Sequence, residues 1–301
     1  MPILITGGTS PSGEFFLNNL SRNQSPFNKS KFKVIVRKSS NHNNLDKLKL
    51  PIQKIFGDLD DENFLEKVFE NTRIVFHIAG IRHSVKVITA AIKNNIEWVI
   101  LVHTTAIYSK NNSSAYHFKQ IEKKINELIE NKNIQVTYIR PTMIYGHLDD
   151  QNMSIFISMI DKLRFFPLIG KGNALIQPVH IQDIGSAFTS ILNNENITKG
   201  KSYILSGKSP ISIYEALKII QQFLSKKNIY FPIPLKLAYY ISSLISFMTL
   251  NKVDFREKIL RLREDRDFPH TQAYNDFGFC PREFKKGIVD EVLAYKMTKL
   301  K

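Results

Sequence analysis

The stretch Pro2-Ile3-Leu4-Ile5-Thr6-Gly7-Gly8-Thr9-Ser10-Pro11-Ser12-Gly13-Glu14-Phe15-Phe16 decides how the chain is read. An apolar run breaks into glycines and small polar residues and then resumes with helical spacing, which reads as strand, tight turn and helix. A helix entered through such a turn aims unbonded backbone N–H groups and the positive end of its dipole at one spot, which suits a phosphate. Gly7 can make the turn, and Gly13 lets helix and strand pack closely. Ser10 stands where a dinucleotide loop has its middle glycine, so a pyrophosphate must sit looser there or take a hydrogen bond from the hydroxyl. Gly7, Gly8, Thr9, Ser10, Pro11, Ser12 and Gly13 are therefore the candidate phosphate-binding residues; the alternative is an ordinary Gly/Ser/Pro turn.

Moving outward, Phe32 to Val36 form a second strand that ends in Arg37-Lys38. In a dinucleotide site an acidic residue at this strand end binds the ribose 2′-hydroxyl, and a basic one accommodates a 2′-phosphate. Arg37 and Lys38 favour NADP over NAD, the alternative being a solvated basic pair. A third strand around Gln53 to Phe56 leads into Gly57-Asp58-Leu59-Asp60, where Asp58 could accept from an adenine amine or cap the helix of residues 62–71. The strand Arg73 to His77 ends in Ile78-Ala79-Gly80, small residues on which a flat ring could lie. Trp98 to Val102 is a continuous apolar run, the pattern of a strand buried on both faces. Strands alternating with helices over the first half imply an α/β, Rossmann-type, doubly wound parallel sheet with a ligand crevice at the carboxyl ends of its strands. Gly7, Arg37, Asp58, Ala79 and Thr104 all fall at such ends.

With 301 residues, 43% hydrophobic and 23% charged, the chain can bury a large core. The balance of 42 basic against 27 acidic residues, +15, admits an anionic polymer, a membrane surface or an anionic small molecule. The lysines are dispersed, with no basic arm or aromatic-basic array, which argues against nucleic acid. A single cysteine, Cys280, excludes an internal disulfide and fits a reducing compartment. The start of the chain lacks the pattern of a signal peptide, so a cytoplasmic location is expected. No metal-spaced His/Cys set occurs.

The order of T-G-G-T-S-P-S-G (6–13), G-D-L-D (57–60), F-H-I-A-G (76–80), H-T-T-A-I-Y (103–108), R-P-T-M-I-Y-G (140–146) and Q-P-V-H-I-Q-D-I-G (177–185) resembles the extended and atypical short-chain dehydrogenase/reductases, the NAD-dependent epimerase/dehydratase group. Gly278-Phe279-Cys280-Pro281 is similar to the family's closing G-x-x-P. The resemblance implies a dinucleotide domain over 1–146, completed by about 174–207, and a smaller, mostly helical substrate-binding part from 147–173 and 208–301. It implies Thr104, Tyr116 and Lys119 as catalytic residues, with the tyrosine handling the proton of the reacting alcohol and the lysine lowering its pKa and binding the ribose. It adds Leu59, Gly80, Pro141 and Thr142 to the cofactor contacts and points to Tyr145, Arg261 and Arg266 for the substrate. A nucleotide sugar is one small polar substrate of this kind.

The proton-transfer part departs from the pattern. Tyr116 and Lys119 are three residues apart where the family has four, a rotation smaller by about 100°. Glu122 lies three after Lys119, where the family's glutamate lies four after the lysine, so Phe118 fits the lysine register and Ser114 the tyrosine register as an alternative. Displaced proton carriers, Tyr108 or Tyr145, are a further alternative. The chain therefore reads as an NADP-preferring oxidoreductase or epimerase, or else as an NADP-binding sensor or scaffold without turnover. Asp183 is read as a helix cap with Gly185 and Ala187 as close-packing positions. The apolar stretch Pro232 to Leu250 is too short and too interrupted to span a membrane. A lid helix buried over the substrate is the expectation there, with contact to a membrane surface the less favoured alternative.

Overall fold

The computed structural model describes residues 2–22, 25–27, 29–111, 113–150, 152–249 and 256–299. Leu250, the end of the apolar stretch, lies outside them. The chain opens as read: β1 (Ile3–Thr6) is buried at every position and α1 (Pro11–Arg22) follows the glycine turn. Proline at the first helical position loses no hydrogen bond, since its missing N–H would have no intrahelical partner. Next come β2 (Phe32–Val36), β3 (Ile52–Phe56), α2 (Glu62–Phe69), β4 (Ile74–His77), α3 (Ser84–Lys93), β5 (Trp98–Val102), α4 (Ser113–Ile129) and β6 (Gln135–Pro141). The helix after β3 is capped by Asp61, which accepts from the Phe64 amide at 3.0 Å, and not by Asp58.

The remaining elements are β7 (Ile144–Tyr145), α5 (Met153–Lys162), β8 (Phe165–Ile169), β9 (Leu175–Ile176), β10 (Val179–His180), α6 (Ile181–Asn193), α7 (Glu195–Thr198), β11 (Ser202–Leu205), β12 (Ile211–Ser212), α8 (Ile213–Leu224), β13 (Ile229–Ile233), α9 (Leu235–Met248), α10 (Arg256–Arg261), α11 (Thr271–Phe277) and α12 (Phe284–Thr298). Seven strands form one sheet in the order β11-β6-β5-β4-β1-β2-β3, every pair parallel. The strand order reverses beside β1, which places the crevice expected of such sheets over the β1 and β4 tips.

Because helices cover both faces, the strands are apolar on both sides. One core layer sets Phe16, Leu17 and Leu20 of α1 and Ile184, Phe188 and Leu192 of α6 against the sheet. The opposite layer uses α2, α3 and α4, with Leu65, Ile88 and Ile125 among its members. A Cβ added at Gly185 would stand 2.8 Å from the Phe15 backbone, so α1 and α6 approach closely only because glycine is there. A third apolar cluster, built from α5, α8, α12 and β8 around Tyr145, forms the C-terminal part.

Two readings of the second half are corrected. The start of α6 is capped by the His180 ring, which accepts from the Gln182 amide, while Asp183 binds the Arg282 backbone amide and guanidinium at 2.9–3.1 Å. Residues 165–169 pair in parallel with β13, and the prolines of this outlying two-stranded sheet are tolerated because each strand is an edge. Helix α9 is not a buried lid, since Leu237, Tyr240, Ile241, Leu244 and Met248 are all exposed.

Candidate functional site

At the β1 tip Gly7 has a φ of +72°, and a Cβ there would come within 2.7 Å of the Ala79 amide nitrogen, so the turn lies directly on the exit of β4. Ser10 is the cap of α1: its hydroxyl donates to the Gly7 carbonyl at 2.7 Å and accepts from the Gly13 amide at 3.2 Å. The serine that replaces a glycine is thus satisfied inside the turn, and its hydroxyl is not offered to a ligand. Pro11 has no N–H, and the Ser10 and Glu14 amides bond within the turn. Among the described residues the Thr9 and Ser12 amides have no partner in the chain, which leaves two donors at the head of α1.

Arg37 and Lys38 project exposed from the end of β2, without an ion pair among the described residues. Asp58 is exposed and accepts from the Asp60 amide at 2.9 Å, while Leu59 is buried. Gly80 has a φ of +110°, and its carbonyl faces the His77 Nε2 at 3.0 Å. His77 also meets Thr6 Oγ1 at 2.6 Å, and burial lowers its pKa to about 3, so the ring under the turn is neutral.

Past the tips of β5 and β6 lies a cavity of about 1040 Å³ lined by Thr104, Tyr108, Pro141 and Thr142 on the sheet side and by Arg261, Arg263 and Arg266, with Glu264 and Asp265, on the other. Thr104 caps a single 3₁₀ turn over Thr105–Tyr108, accepting from the Ala106 amide at 3.1 Å. The Thr142 hydroxyl is spent on the Gln177 carbonyl at 2.5 Å. Tyr108 lies half-exposed against Phe268, with ring centroids 5.6 Å apart.

Tyr116 and Lys119 do not join this cavity. Tyr116 is 71% exposed, and Lys119, itself exposed, lines a separate shallow depression along α4 with Ile107, Glu122, Asn126 and Glu127. The face of α4 that meets the sheet carries Ala115, Phe118, Glu122 and Ile125, so Phe118 shares a side with Glu122 one turn later, while Lys119 is exposed at the edge of that face. Glu122 explains the register. It takes His103 Nδ1 at 2.8 Å and the Arg140 guanidinium at 3.1 and 2.6 Å, and His103 Nε2 meets the Ser84 hydroxyl at 2.9 Å. Burial alone would raise the Glu122 pKa, but the hydrogen bonds from His103 and Arg140 outweigh it and hold the carboxylate below its usual range.

Tyr145 is also displaced from its expected role: it is fully buried, its ring against His180 and Phe284, and burial pushes its hydroxyl well above the usual phenol range. Arg261 and Arg266 do reach the cavity. Neither has a carboxylate partner among the described residues, and the Nε of each is buried without a hydrogen bond. Burial, with Arg261 nearby, lowers Arg266 to about 10. Its backbone amide bonds the Leu175 carbonyl at 2.8 Å, which fixes the segment at the cavity wall.

Sequence reasoning missed the tie across the mouth. Glu264 accepts from the Ser109 hydroxyl and the Lys110 amide, both at 2.6 Å, and Glu257 accepts from the Ser113 hydroxyl at 2.6 Å. These partners lie some 150 positions apart, beyond any local pattern. No group of three or more His, Cys, Asp or Glu among the described residues could hold a metal ion.

With this geometry in place, comparison with known proteins gives the family. Residues 1–300 match the NmrA-like family. The chain belongs to it. This NmrA-like protein is 27% identical over 143 residues to "NADH dehydrogenase [ubiquinone] 1 alpha subcomplex subunit 9, mitochondrial" of Arabidopsis thaliana, covering 48% of the chain and 35% of that protein. It is 26% identical over 194 residues to "Short-chain dehydrogenase/reductase family 42E member 1" of Xenopus laevis, covering 59% and 49%. The chain thus spans between a third and a half of the length of these curated relatives. A double mutant of the dTDP-glucose 4,6-dehydratase DesIV from Streptomyces venezuelae, with NAD and DAU bound, superposes with a TM-score of 0.75 at 16% identity, covering 98% of this chain and 97% of that one. The fold is that of the epimerase/dehydratase proteins, as the sequence motifs imply.

Proposed function

We propose that this NmrA-like protein binds NADP(H) across the tips of β1, β2 and β4 and acts as an oxidoreductase on a small anionic substrate held in the cavity. The observation that carries this reading is the pair Arg261 and Arg266, two cations at the cavity wall with buried, unbonded Nε atoms. Such groups are costly unless an anion completes them. A diphosphate matches their planar donors, and a nucleotide sugar, the substrate class named for the DesIV neighbour, carries one.

The residues fit a dinucleotide. Two unbonded amides at the head of α1 suit a pyrophosphate, Ala79 and Gly80 leave backbone for a flat ring, and Arg37 and Lys38 suit a 2′-phosphate in preference to a bare ribose. Bound there, the nicotinamide would supply or accept hydride. The chain's own part is then to orient the substrate with the arginines and to move a proton. Thr104 and Tyr108 are the hydroxyls at the cavity wall with that capacity, and Tyr108 takes the place that Tyr116 leaves vacant.

A second reading is favoured by one observation, the exposure of Tyr116 and Lys119. On that reading the protein holds NADP(H) without turnover, as a sensor or as part of an assembly, and the likeness to a subunit of NADH dehydrogenase supports it. The cytoplasm remains the proposed compartment, consistent with an exposed free Cys280. The purified protein, denatured and examined by mass spectrometry, is expected to release NADP or NADPH. Mixing with NADPH and a panel of nucleotide sugars then separates the readings: oxidation of NADPH at 340 nm supports the enzyme, and tight binding without oxidation supports the holder. Release of no nucleotide, together with no binding of either coenzyme, overturns both.

A further inference from the structure

We infer that α9 and the β8–β13 ribbon form a docking face for an anionic lipid bilayer. The first observation is the inverted amphipathy of α9. Its buried positions, Ala238, Ser242 and Ser246, recur every four residues and are small or polar, while Leu237, Tyr240, Leu244 and Met248 are 51, 71, 60 and 75% exposed. A helix that buries its serines and shows its leucines to solvent is arranged for an apolar surface outside the protein. The neighbouring ribbon continues this face with exposed Phe165, Ile229 and Phe231.

The second observation concerns what lies beneath α9. An almost wholly apolar cavity of about 310 Å³ runs between α9 and residues such as Phe156, Phe166 and Leu217, and the Ser242 hydroxyl is buried without a hydrogen bond beside it. About 150 Å³ of such space suffices to hold benzene. The helix is therefore laid over the C-terminal part with its small side chains above a void, and its apolar mass points the other way.

Charge selects the occupant. Beyond the Lys226–Asp161 ion pair, residues 161–171 and 226–250 contain Lys162, Arg164, Lys171, Lys227 and Lys236, and Asp161 is their single carboxylate. Asp161 is consumed internally by Lys226, Lys299 and the Tyr295 hydroxyl. Glu257 of α10, the helix packed on α9, is occupied by Ser113. An apolar face rimmed by cations, with its carboxylates already engaged, matches lipid headgroups of negative charge above hydrocarbon. No helix among the described residues is long and apolar enough to cross a membrane, so the mode is attachment to the surface. This inference rests on the C-terminal part alone and is independent of the cofactor reading.

The test is flotation of the full chain with vesicles of phosphatidylcholine, with or without phosphatidylglycerol. The protein is expected to float with the anionic vesicles, and to float at least about tenfold less with phosphatidylcholine alone or in high salt. Leu237→Glu/Leu244→Glu and, separately, Arg164→Glu/Lys227→Glu are expected to abolish flotation with little change in Tm, because all four side chains are exposed. Absence of flotation with anionic vesicles overturns the inference, as does flotation that neither double variant weakens. A wild-type dimer in sedimentation that Leu237→Glu/Leu244→Glu turns into monomer also overturns it, by making a second copy the occupant.

Discussion

Along the carboxyl edge of one sheet, the tips of β1, β2 and β4 differ in kind from the tips of β5 and β6. At the first set the work is done by backbone: a turn at positive φ, two unbonded amides and bare glycine surface, with two exposed basic side chains beside them. At the second set it is done by side chains, and there the polar chemistry has been drawn inward. His103, Glu122 and Arg140 form a buried network under α4, and the helix is held in a register that leaves Lys119 exposed. On the proposed reading, binding and chemistry are separable within one fold. A phosphate site made of amides tolerates changes of side chain, whereas a proton-transfer pair is lost when a helix register shifts by one position.

The sharpest way to break the comparison is to break the network that sets the register. Arg140→Ala leaves the Glu122 carboxylate buried without its guanidinium, and unfolding in urea is expected to show a loss of about 3–5 kcal/mol. The loss should be smaller for Tyr116→Phe than for any core change, since that hydroxyl faces solvent. Next comes Gly13→Ala. Its Cβ would stand 2.2 Å from the Gly7 carbonyl oxygen, so the turn must open. Calorimetry is expected to show NADPH affinity reduced by more than tenfold.

The third effect acts through charge. Arg37→Ala/Lys38→Ala is expected to weaken NADPH binding about a hundredfold or more while leaving NADH nearly unchanged, each of the two lost charge-assisted contacts being worth about 1.5–3 kcal/mol. Equal losses for both coenzymes would remove the NADP assignment. At the cavity, Arg266→Gln is expected to weaken competition by inorganic pyrophosphate severalfold without affecting NADPH. If turnover is observed, Tyr108→Phe should lower kcat and Tyr116→Phe should not, and the reverse would restore Tyr116 to the chemistry.

A last effect distinguishes the buried histidines from the surface. Burial lowers His77 to about 3 and His180 to about 4, below the value near 6.5 that each has in the unfolded chain. The unfolded state therefore binds more protons between these values. Their stabilisation is complete above about pH 6.5 and is lost as pH falls towards 4 and 3, which the Tm measured from pH 7 to pH 4 should follow. Glu291, raised well above the carboxylate range by burial and by the neighbouring Asp150 carboxylate, has the opposite sign, and its contribution is lost as pH rises.

The sheet was legible in the sequence because each of its signals is local: Trp98 to Val102 is apolar on both faces, and Gly7 and Gly13 are glycines for reasons of space. The register of α4 was half legible. The three-residue gap from Tyr116 to Lys119 and the position of Glu122 both hinted at it, but choosing needed the partners of Glu122, which lie on β6 and at the end of β5. The tie from Glu264 to Ser109 joins segments remote in sequence and left no trace. Helix α9 misled because apolar residues usually mean burial. The signal that could have corrected this was the recurrence of Ala238, Ser242 and Ser246 at the spacing of one helical face, which marks the side that packs.

Whether the tips of β1, β2 and β4 hold a phosphorylated dinucleotide is decided by titration calorimetry of the wild-type chain with NADPH. Saturable binding of one molecule per chain is expected, tighter than that of NADH under the same conditions. Absence of heat with NADPH across a range of temperatures, with no change in Tm at saturating coenzyme, would contradict it.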